Sequence, residues 1–247
     1  MNRTHTIAMW SGPRNLSTAM MRAWENRHDT VVVDEPMYAY YLAQTHRADP
    51  MADDIMQSGT TDWQSVVNQL TTPPEHGLQY HKHITTHILP TDTLDWLHQV
   101  PGMQHVFLIR EPERVVASFN QLLSENAEED LIDYIGFHQQ HRIFKAVCAE
   151  QQHTPVVIDS TRFLANPEKQ LRELCALLSV PFDSAMLSWP PGLRSSDGLW
   201  ASHWYASVAK STGFGQAPTA WPKLTDAQER VASHCREVYD TLLVHAL

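Results

Sequence analysis

The sequence predicts an α/β fold in which helices cover both faces of a parallel sheet of about five strands. Short apolar runs recur along the chain, and segments with amphipathic helical spacing separate most of them. Parallel strands need such crossover helices, and their burial on both faces makes them apolar. The predicted strands are Thr6–Trp10, Thr30–Val33, Leu78–Ile84, His105–Ile109 and Pro155–Ile158.

Capping residues mark several helix starts. Pro112 suits the first position of a helix after the fourth strand, and Asn166 followed by Pro167 marks another after the fifth. Thr225 and Gln228 have the spacing of a capping box that opens the last helix. Further helices are predicted at 62–70 and 129–151.

Residues 181–223, called here the late segment, are rich in Pro, Gly, Ser and Trp and show no clear period. A long irregular stretch in a compact domain is usually either functional or disordered. Its tryptophans argue against disorder. The late segment is therefore predicted to be an ordered loop over a site, and its tryptophans are Trp189, Trp200, Trp204 and Trp221.

The length of 247 residues allows one large α/β domain or two small ones, and we expect one domain over residues 1–247. A hydrophobic content of 43% is ordinary for a globular protein with a core. The net charge of −10 argues against nucleic acid or an anionic membrane as a partner, so an anionic ligand needs a local cationic cluster. No run is long enough for a signal peptide or a membrane span. With Cys148, Cys175 and Cys235 predicted to be buried free thiols, we expect a soluble cytoplasmic protein.

The turn after the first strand, residues 11–18, indicates an anion site. Arg14, Ser17 and Thr18 stand where a helix begins, and the free N–H groups and the dipole of a helix start attract phosphate. The spacing of a Walker A motif is absent, and no lysine lies in the turn. A plain capped helix is the alternative interpretation.

Three segments near the ends of predicted strands together resemble the sulfotransferases that use 3′-phosphoadenosine-5′-phosphosulfate (PAPS) and release 3′-phosphoadenosine-5′-phosphate (PAP). The first turn is similar to the family's loop for the 5′-phosphosulfate, and residues 110–118 are similar to its motif for the 3′-phosphate. Residues 163–182, with Asp159 before them, are similar to a third family segment. The resemblance implies a P-loop NTPase-like sulfotransferase fold and the cofactor ligands Gly12, Pro13, Arg14, Asn15, Ser17, Thr18, Arg110 and Ser118.

The chain departs from that family pattern in the first turn, where Leu16 replaces a glycine and Asn15 replaces a hydroxyl residue. The pattern is similar to a divergent bacterial subgroup of the family. Arg110 has a structural alternative as the partner of a neighbouring glutamate, and Ser118 has one as a small residue packed on the sheet.

The resemblance implies sulfuryl transfer to a hydroxyl or amine without a metal. Arg14 and then Lys82 are the candidates to stabilise the leaving oxygen. The candidate bases are Glu35, His83 and His87, with Glu35 first. Strand alternation places His83 and Lys82 on opposite faces unless the strand ends near Lys82. A zinc site on His83 and His87 is a minor alternative, because four-residue spacing shares a face only on a helix.

Within the late segment, residues 194–215 lie where the family has a further cofactor loop. The resemblance and the chemistry of the residues make Arg194, Gly198, Trp200 and Lys210 candidate cofactor ligands, and Trp24 and Trp200 candidates for stacking on adenine. A purely structural, tryptophan-rich loop is the equal alternative.

Two other functions stay open at this point. One is a kinase-like phosphotransferase on a related fold, and the other is a nucleotide-binding protein that has lost its chemistry. The acceptor is predicted to bind between residues 37–75 and 120–150, and a homodimer is possible. Aromatic candidates for the wall of that pocket are Tyr38, Tyr40, Tyr41 and Trp63.

Overall fold

The computed structural model describes residues 5–73, 77–100, 102–119, 128–151, 153–217 and 219–247, and in it five parallel strands form one sheet. Each predicted strand is confirmed to within one residue at each end. The strands are β1 (His5–Ser11), β2 (Thr30–Asp34), β3 (Leu78–Ile84), β4 (Gln104–Ile109) and β5 (Val156–Asp159).

The helices follow the predicted caps. Asn166 Oδ1 accepts the Lys169 amide, and the Thr225–Gln228 capping box is present. The helices are α1 (Ser17–Glu25), α2 (Tyr38–Thr45), α3 (Ala52–Ser58), α4 (Trp63–Thr71), α5 (Pro112–Ala117), α6 (Glu128–Ile135), α7 (Phe137–Gln151), α8 (Ser160–Ala165), α9 (Pro167–Leu177), α10 (Ala201–Trp204) and α11 (Asp226–Leu243). Short 3₁₀ turns occupy Thr85–His87, Asp95–His98, Ser184–Leu187 and Val208–Lys210.

Gly136 divides the predicted helical stretch 129–151 into α6 and α7. Its φ is +73°, which a helix does not allow, and a Cβ there would lie 2.5 Å from Thr86 Cγ2. The break lets the chain pack closely on the turn that follows β3.

The strand order β2-β3-β1-β4-β5 opens a crevice at the carboxyl edge of the sheet. Residues of α1, after β1, belong to one face of the sheet, whereas residues of α5, after β4, belong to the other. The turns after these neighbouring strands therefore diverge, and ligands of open α/β sheets bind in such a crevice.

Two apolar cores confirm the predicted layers. Trp10 and Phe107 point to the face covered by α4–α7 and α11, whereas Met9 and Leu108 point to the face covered by α1 and α9. Parallel strands are buried in this way on both sides.

The late segment is ordered where the structure describes it, as predicted. It packs on α1 through a buried pair in which two Arg22 nitrogens lie 2.6 Å from the Asp197 oxygens. Asn26 Nδ2 also donates to the carbonyls of Ala185 and Ser188, both at 2.7 Å.

The cysteines lie in helices, as expected, and are free thiols. Cys175 and Cys235 are buried, but Cys148 is only half-buried, so the expectation of burial was wrong there. None of the helices in the described part of the chain has the length and apolar character needed to cross a membrane.

The buried Arg22–Asp197 pair should contribute to the stability of the fold by fixing the late segment on α1. Asp197→Ala leaves a guanidinium that is 1% exposed without its bidentate partner, so we expect the free energy of unfolding to fall by about 3 kcal/mol. Urea unfolding at pH 7 measures it. Glu168→Ala, which breaks the exposed pair with Arg172, is the matched control and should cost under about 1 kcal/mol. Equal losses in the two variants would contradict a stabilising role for the buried pair.

Three buried histidines lie on one face of the sheet beside Trp10. Burial lowers the pKa of His81 to about 4 and that of His105 to about 4, and it also lowers the pKa of His83. Neither ring nitrogen of His81 has a hydrogen-bond partner among the described residues.

These histidines predict a loss of stability in acid. Because the folded pKa lies below the unfolded value, the unfolded chain binds more protons between about pH 6.5 and 4, and stability falls as pH decreases through that window. His81→Leu should reduce this loss by about 2–3 kcal/mol in unfolding titrations. The exposed His28→Leu is the control, and an unchanged acid dependence in His81→Leu would rule the explanation out.

Candidate functional site

A cavity of about 380 Å³ lies at the carboxyl edge of the sheet, where the strand order predicts a crevice. This volume is within the range of small-molecule sites. Its lining comes from the turn after β1, the ends of β2, β3 and β4, the 3₁₀ turn after β3, the helices α2 and α6, the late segment, and the loop residues Asp49 and Phe119. The described lining residues are Pro13–Ala19, Glu35, Tyr38, Asp49, Lys82, Ile84, Thr86, His87, Arg110, Phe119, Tyr134, Trp204, Tyr205, Ser207, Val208, Ser211, Gly213 and Gly215.

The turn after β1 presents an uncapped helix start to the cavity. Leu16 occupies the N-cap of α1 with φ +71°, and its side chain makes no capping hydrogen bond. The first amides of α1 therefore have no protein acceptor from a cap. Ser17 and Thr18, both predicted ligands, line the cavity at this point.

Other residues of the turn hold its shape. The buried Asn15 donates from Nδ2 to Leu108 O at 3.4 Å, and its carbonyl lies 3.1 Å from Ser160 Oγ. A Cβ on Gly12 would lie 2.6 Å from Ile135 O, so glycine allows the close approach of α6. The structure thus shows packing contacts for two predicted cofactor ligands, although Asn15 also lines the cavity.

Two arginines meet at the cavity. Arg110 Nη1 donates to Arg14 O at 2.8 Å, which ties the turn after β4 to the turn after β1. Burial lowers the pKa of Arg110. Among the described residues, Glu111 pairs with Arg114 and Glu113 with Arg236, and neither Arg14 nor Arg110 has a carboxylate at ion-pair distance.

Ser118, the other predicted ligand of this motif, lies at the end of α5 and donates to Val115 O at 2.6 Å. It is absent from the described cavity lining.

A buried lysine lies at the centre of the site. Lys82 is 1% exposed, and its Nζ donates to Asp34 Oδ1 at 2.9 Å, to Glu35 Oε1 and to the Tyr205 hydroxyl. An ammonium has three N–H donors, so all of them are used. Glu35 is 11% exposed and lines the cavity, whereas Asp34 is 1% exposed and lies behind it.

The electrostatics keep this lysine charged. Burial alone would lower the pKa of Lys82, but the two carboxylates outweigh burial and raise it. Burial raises the pKa of Asp34, while the lysine opposes that rise. The hydrogen bonds that Asp34 accepts from Tyr205 and from the Gly198 amide also favour its ionised form. Lys82 is therefore a charged group shared by two carboxylates, Asp34 and Glu35.

The two histidines that were candidate bases, His83 and His87, lie in different places. β3 continues to Ile84, so strand alternation holds and His83 lies on the face opposite Lys82, stacked on Trp10 with centroids 4.2 Å apart. The structure does not bring His83 to the cavity. His87 does line it, stacked on Tyr38 at 4.6 Å, and burial lowers its pKa to about 3.

The cofactor ligands that were predicted in the late segment mostly lie behind the cavity wall. Arg194 pairs with Glu25 at 3.4 Å, and Lys210 is exposed. The Gly198 amide donates to Asp34 Oδ2 at 3.1 Å, and a Cβ there would collide with the Trp200 ring. None of these four residues belongs to the described cavity lining.

The two candidates for adenine stacking are engaged elsewhere. Trp24 is buried in the core and stacks on Tyr80 with centroids 5.5 Å apart. Trp200 meets the edge of Tyr38, and its Nε1 donates to the Tyr205 hydroxyl at 3.1 Å. The aromatic residue that the late segment places in the cavity next to Tyr205 is Trp204.

The other end of the cavity is aromatic. Tyr38 and Tyr134 line it, and the Tyr38 hydroxyl donates to Asp49 Oδ2 at 2.9 Å. Arg47 Nε bonds the other Asp49 oxygen at 2.9 Å, so this carboxylate is neutralised. Of the predicted wall, Tyr40, Tyr41 and Trp63 lie outside the described lining, and residues 120–127 lie outside the described residues.

Sequence reasoning missed Asp34, Asp49 and Tyr205. Asp34 directly precedes a predicted base at the end of a strand, and that position was a usable signal. Tyr205 had none, because it lies 123 residues from the lysine that it contacts.

Within the described part of the chain, no cluster of three or more His, Cys, Asp or Glu side chains is arranged to hold a metal ion. His83 and His87 lie on a strand and on a 3₁₀ turn, so the shared helix face required by the zinc alternative does not exist.

The chain is similar to proteins of known structure and sequence. Branched-chain-amino-acid aminotransferase-like protein 2 of Arabidopsis thaliana is 31% identical over 244 residues, which are 97% of this chain and 41% of that protein. The chain thus spans about two fifths of the length of this curated relative.

Two solved structures share the fold. A sulfotransferase from Alicyclobacillus acidocaldarius matches with a TM-score of 0.57 and 14% identity, covering 100% of this chain and 98% of that one. A mouse sulfotransferase complexed with PAP matches with a TM-score of 0.50 and 11% identity, covering 98% and 90%.

The predicted fold class is confirmed by these structures and by the five-stranded parallel sheet. A family model described as "Sulfotransferase domain" matches residues 5–239. Because this match spans nearly the whole chain, the protein belongs to the sulfotransferase domain family.

Proposed function

We propose that the protein transfers the sulfuryl group of PAPS to a hydroxyl or amine of a small molecule. The observation that carries this proposal is the pair Arg14 and Arg110, which have no carboxylate partner among the described residues and meet beside an uncapped helix start. Such a site suits an anion with more than one phosphate.

The residues present fit this cofactor. Guanidinium groups and helix amides are the usual ligands of phosphate, and the cavity holds both although the chain as a whole is acidic. The mouse sulfotransferase of the same fold is complexed with PAP. The chemistry that PAPS supplies is one group transfer: the acceptor atom bonds sulfur, and the bond from sulfur to the 5′-phosphate oxygen breaks with its electron pair left on that phosphate.

Within this proposal Arg14, with Ser17, Thr18 and the first amides of α1, binds the 5′ side, and Arg110 binds the 3′-phosphate. Both arginines stay charged at neutral pH. The charge of Arg14 stabilises the negative charge that develops on the leaving oxygen of the 5′-phosphate, as preorganised cations do in group transfer.

Glu35 takes the proton from the acceptor. It is the carboxylate of the buried cluster that reaches the cavity, since Asp34 lies behind it. His87 also reaches the cavity, but its pKa of about 3 makes its imidazole a weak base near neutral pH.

The aromatic end of the cavity receives the acceptor. Tyr38, Tyr134 and Phe119 provide apolar surface there, and Asp49, the carboxylate besides Glu35 in the described lining, is already neutralised by Arg47. An uncharged aromatic alcohol or phenol fits such a wall.

Cofactor binding is the first test. In calorimetric titrations, PAP should bind with micromolar affinity, and Arg110→Ala should weaken that affinity about 10- to 100-fold, the cost of one lost hydrogen bond to a charged group. Arg172→Ala, an exposed arginine of α9, is the matched control and should bind PAP within about twofold of wild type.

AMP and ATP separate the proposal from its alternatives. Much weaker binding of AMP shows that the 3′-phosphate is recognised. Equal binding of ATP, or no binding of PAP, overturns the assignment and favours a kinase-like phosphotransferase or another nucleotide site. Binding of PAP without turnover of any acceptor favours a protein that has lost its chemistry.

The base is tested by Glu35→Gln, which keeps the shape of the side chain and removes its charge. We expect kcat for PAP formation to fall about 10²- to 10⁴-fold, with 2-naphthol, benzyl alcohol and benzylamine as acceptor probes. PAP affinity should stay within about twofold, because Glu35 is not a phosphate ligand. His87→Gln is measured in parallel, and a larger loss there than in Glu35→Gln would make His87 the base.

A further inference from the structure

The hydroxyl group of Tyr205 makes polar contacts with all three members of the charged cluster, Lys82, Asp34 and Glu35. Tyr205 follows α10 and is 4% exposed. Its amide donates to Ala201 O at 2.9 Å, and its carbonyl accepts the Ala209 amide at 2.8 Å. The backbone therefore fixes the position from which the ring reaches the end of β2.

The hydrogen bonds that this hydroxyl accepts determine where its own proton points. Lys82 Nζ and Trp200 Nε1 both donate to it, and a hydroxyl has two acceptor positions and one proton. The proton is therefore left for a carboxylate. Both Asp34 oxygens lie 2.8 Å away and Glu35 Oε1 lies 3.3 Å away.

This geometry divides the two carboxylates between two tasks. Tyr205 and the Gly198 amide both donate to Asp34, so its ionised form is held by two neutral donors in addition to Lys82, which also donates to Glu35. Glu35 receives the longer contact from Tyr205 and faces the cavity. The cluster carries one positive and two negative charges, and the excess negative charge can therefore stay on Glu35.

The same contacts join the late segment to the cluster. Asp197, Gly198 and Tyr205 belong to one stretch of chain and contact Arg22, Asp34 and Lys82 in turn. Further residues of the late segment, among them Trp204 and Val208, line the cavity. Docking of this stretch thus supplies a wall of the cavity and a hydrogen bond to its charged centre together.

We propose that Tyr205 is a positioning residue, which holds Lys82 between the two carboxylates and keeps Asp34 ionised, so that Glu35 faces the cavity as the proton acceptor, and which makes docking of the late segment a condition for that arrangement. This inference rests on the proposed sulfuryl transfer. The charged groups facing Asp34 are Lys82 from β3, Glu35 from the end of its own strand and Arg22 from α1.

The test is Tyr205→Phe, which removes only the hydroxyl. Its matched control is Tyr239→Phe, because the Tyr239 hydroxyl is also buried and donates to a carboxylate, Asp159 Oδ2, at 2.9 Å. Two measurements are made on the full chain: PAP formation from PAPS with the acceptor probes across pH, and the titration of the Asp34 carboxyl by ¹³C NMR.

We expect kcat of Tyr205→Phe to fall about 10- to 100-fold while PAP affinity stays within about twofold, because the loss lies in positioning and not in phosphate binding. The acid limb of its rate–pH profile and the midpoint of the Asp34 titration should both move up by roughly one unit, since a donor to an ionised carboxylate is lost. Tyr239→Phe should change neither.

If kcat, the pH profile and the Asp34 titration of Tyr205→Phe are all the same as in the wild type, the inference is overturned. The proposed function then still stands, provided that the wild type binds PAP and uses PAPS. If wild type does not bind PAP, the proposed function fails by itself, and the Asp34 titration still decides whether Tyr205 orders the cluster. Should Tyr205→Phe not fold, Trp200→Phe removes the other donor to the same hydroxyl. A smaller shift in the same direction supports the inference, and no shift contradicts it.

Discussion

The buried charge of Lys82 is the constraint on which the carboxyl edge of the sheet depends. Transferring an ammonium from water to the interior costs several kcal/mol unless partners surround it. The pairing of β2 with β3 supplies the first partner, because Asp34 stands directly beside Lys82 in the register. A slip of one residue would turn Asp34 to the other face and leave the lysine without its counterion. The strand order, the register and the late segment thus all supply partners for the buried charge of Lys82.

Three residues at this edge adopt left-handed backbone conformations although none is glycine. Arg14 has φ +65°, Leu16 +71° and Glu35 +43°, and all three line the cavity. Each such residue costs on the order of 1 kcal/mol or more and persists only where the surroundings hold it. Leu16 stands where the sulfotransferase family has glycine, the residue that adopts this conformation most easily. The turn therefore keeps the left-handed conformation although a leucine occupies the position. Strain collected around a cavity is consistent with a site shaped for a ligand.

The sequence predicted the parts of the molecule that local chemistry determines. Asn166 and Thr225 mark helix starts by their own hydrogen bonds, and the strands are apolar because both faces are covered. It could not show that Trp24 is buried in the core, because core and ligand-stacking tryptophans look alike in sequence. Nor could it place Tyr205, because its contacts depend on how the late segment folds back on the sheet, and no periodicity in the sequence predicts that.

The distance along the chain between the lysine and its last partner has a consequence for biosynthesis. All five strands are complete by Asp159, so a nascent chain can assemble the sheet well before Tyr205 leaves the ribosome. Until then Lys82 and Asp34 sit at an open, hydrated edge, and the wall formed by Trp204 and Val208 is missing. The wall of the cavity is therefore made after the strands and before α11, which completes the core on the other face of the sheet, so the cavity and that core are both finished late in synthesis.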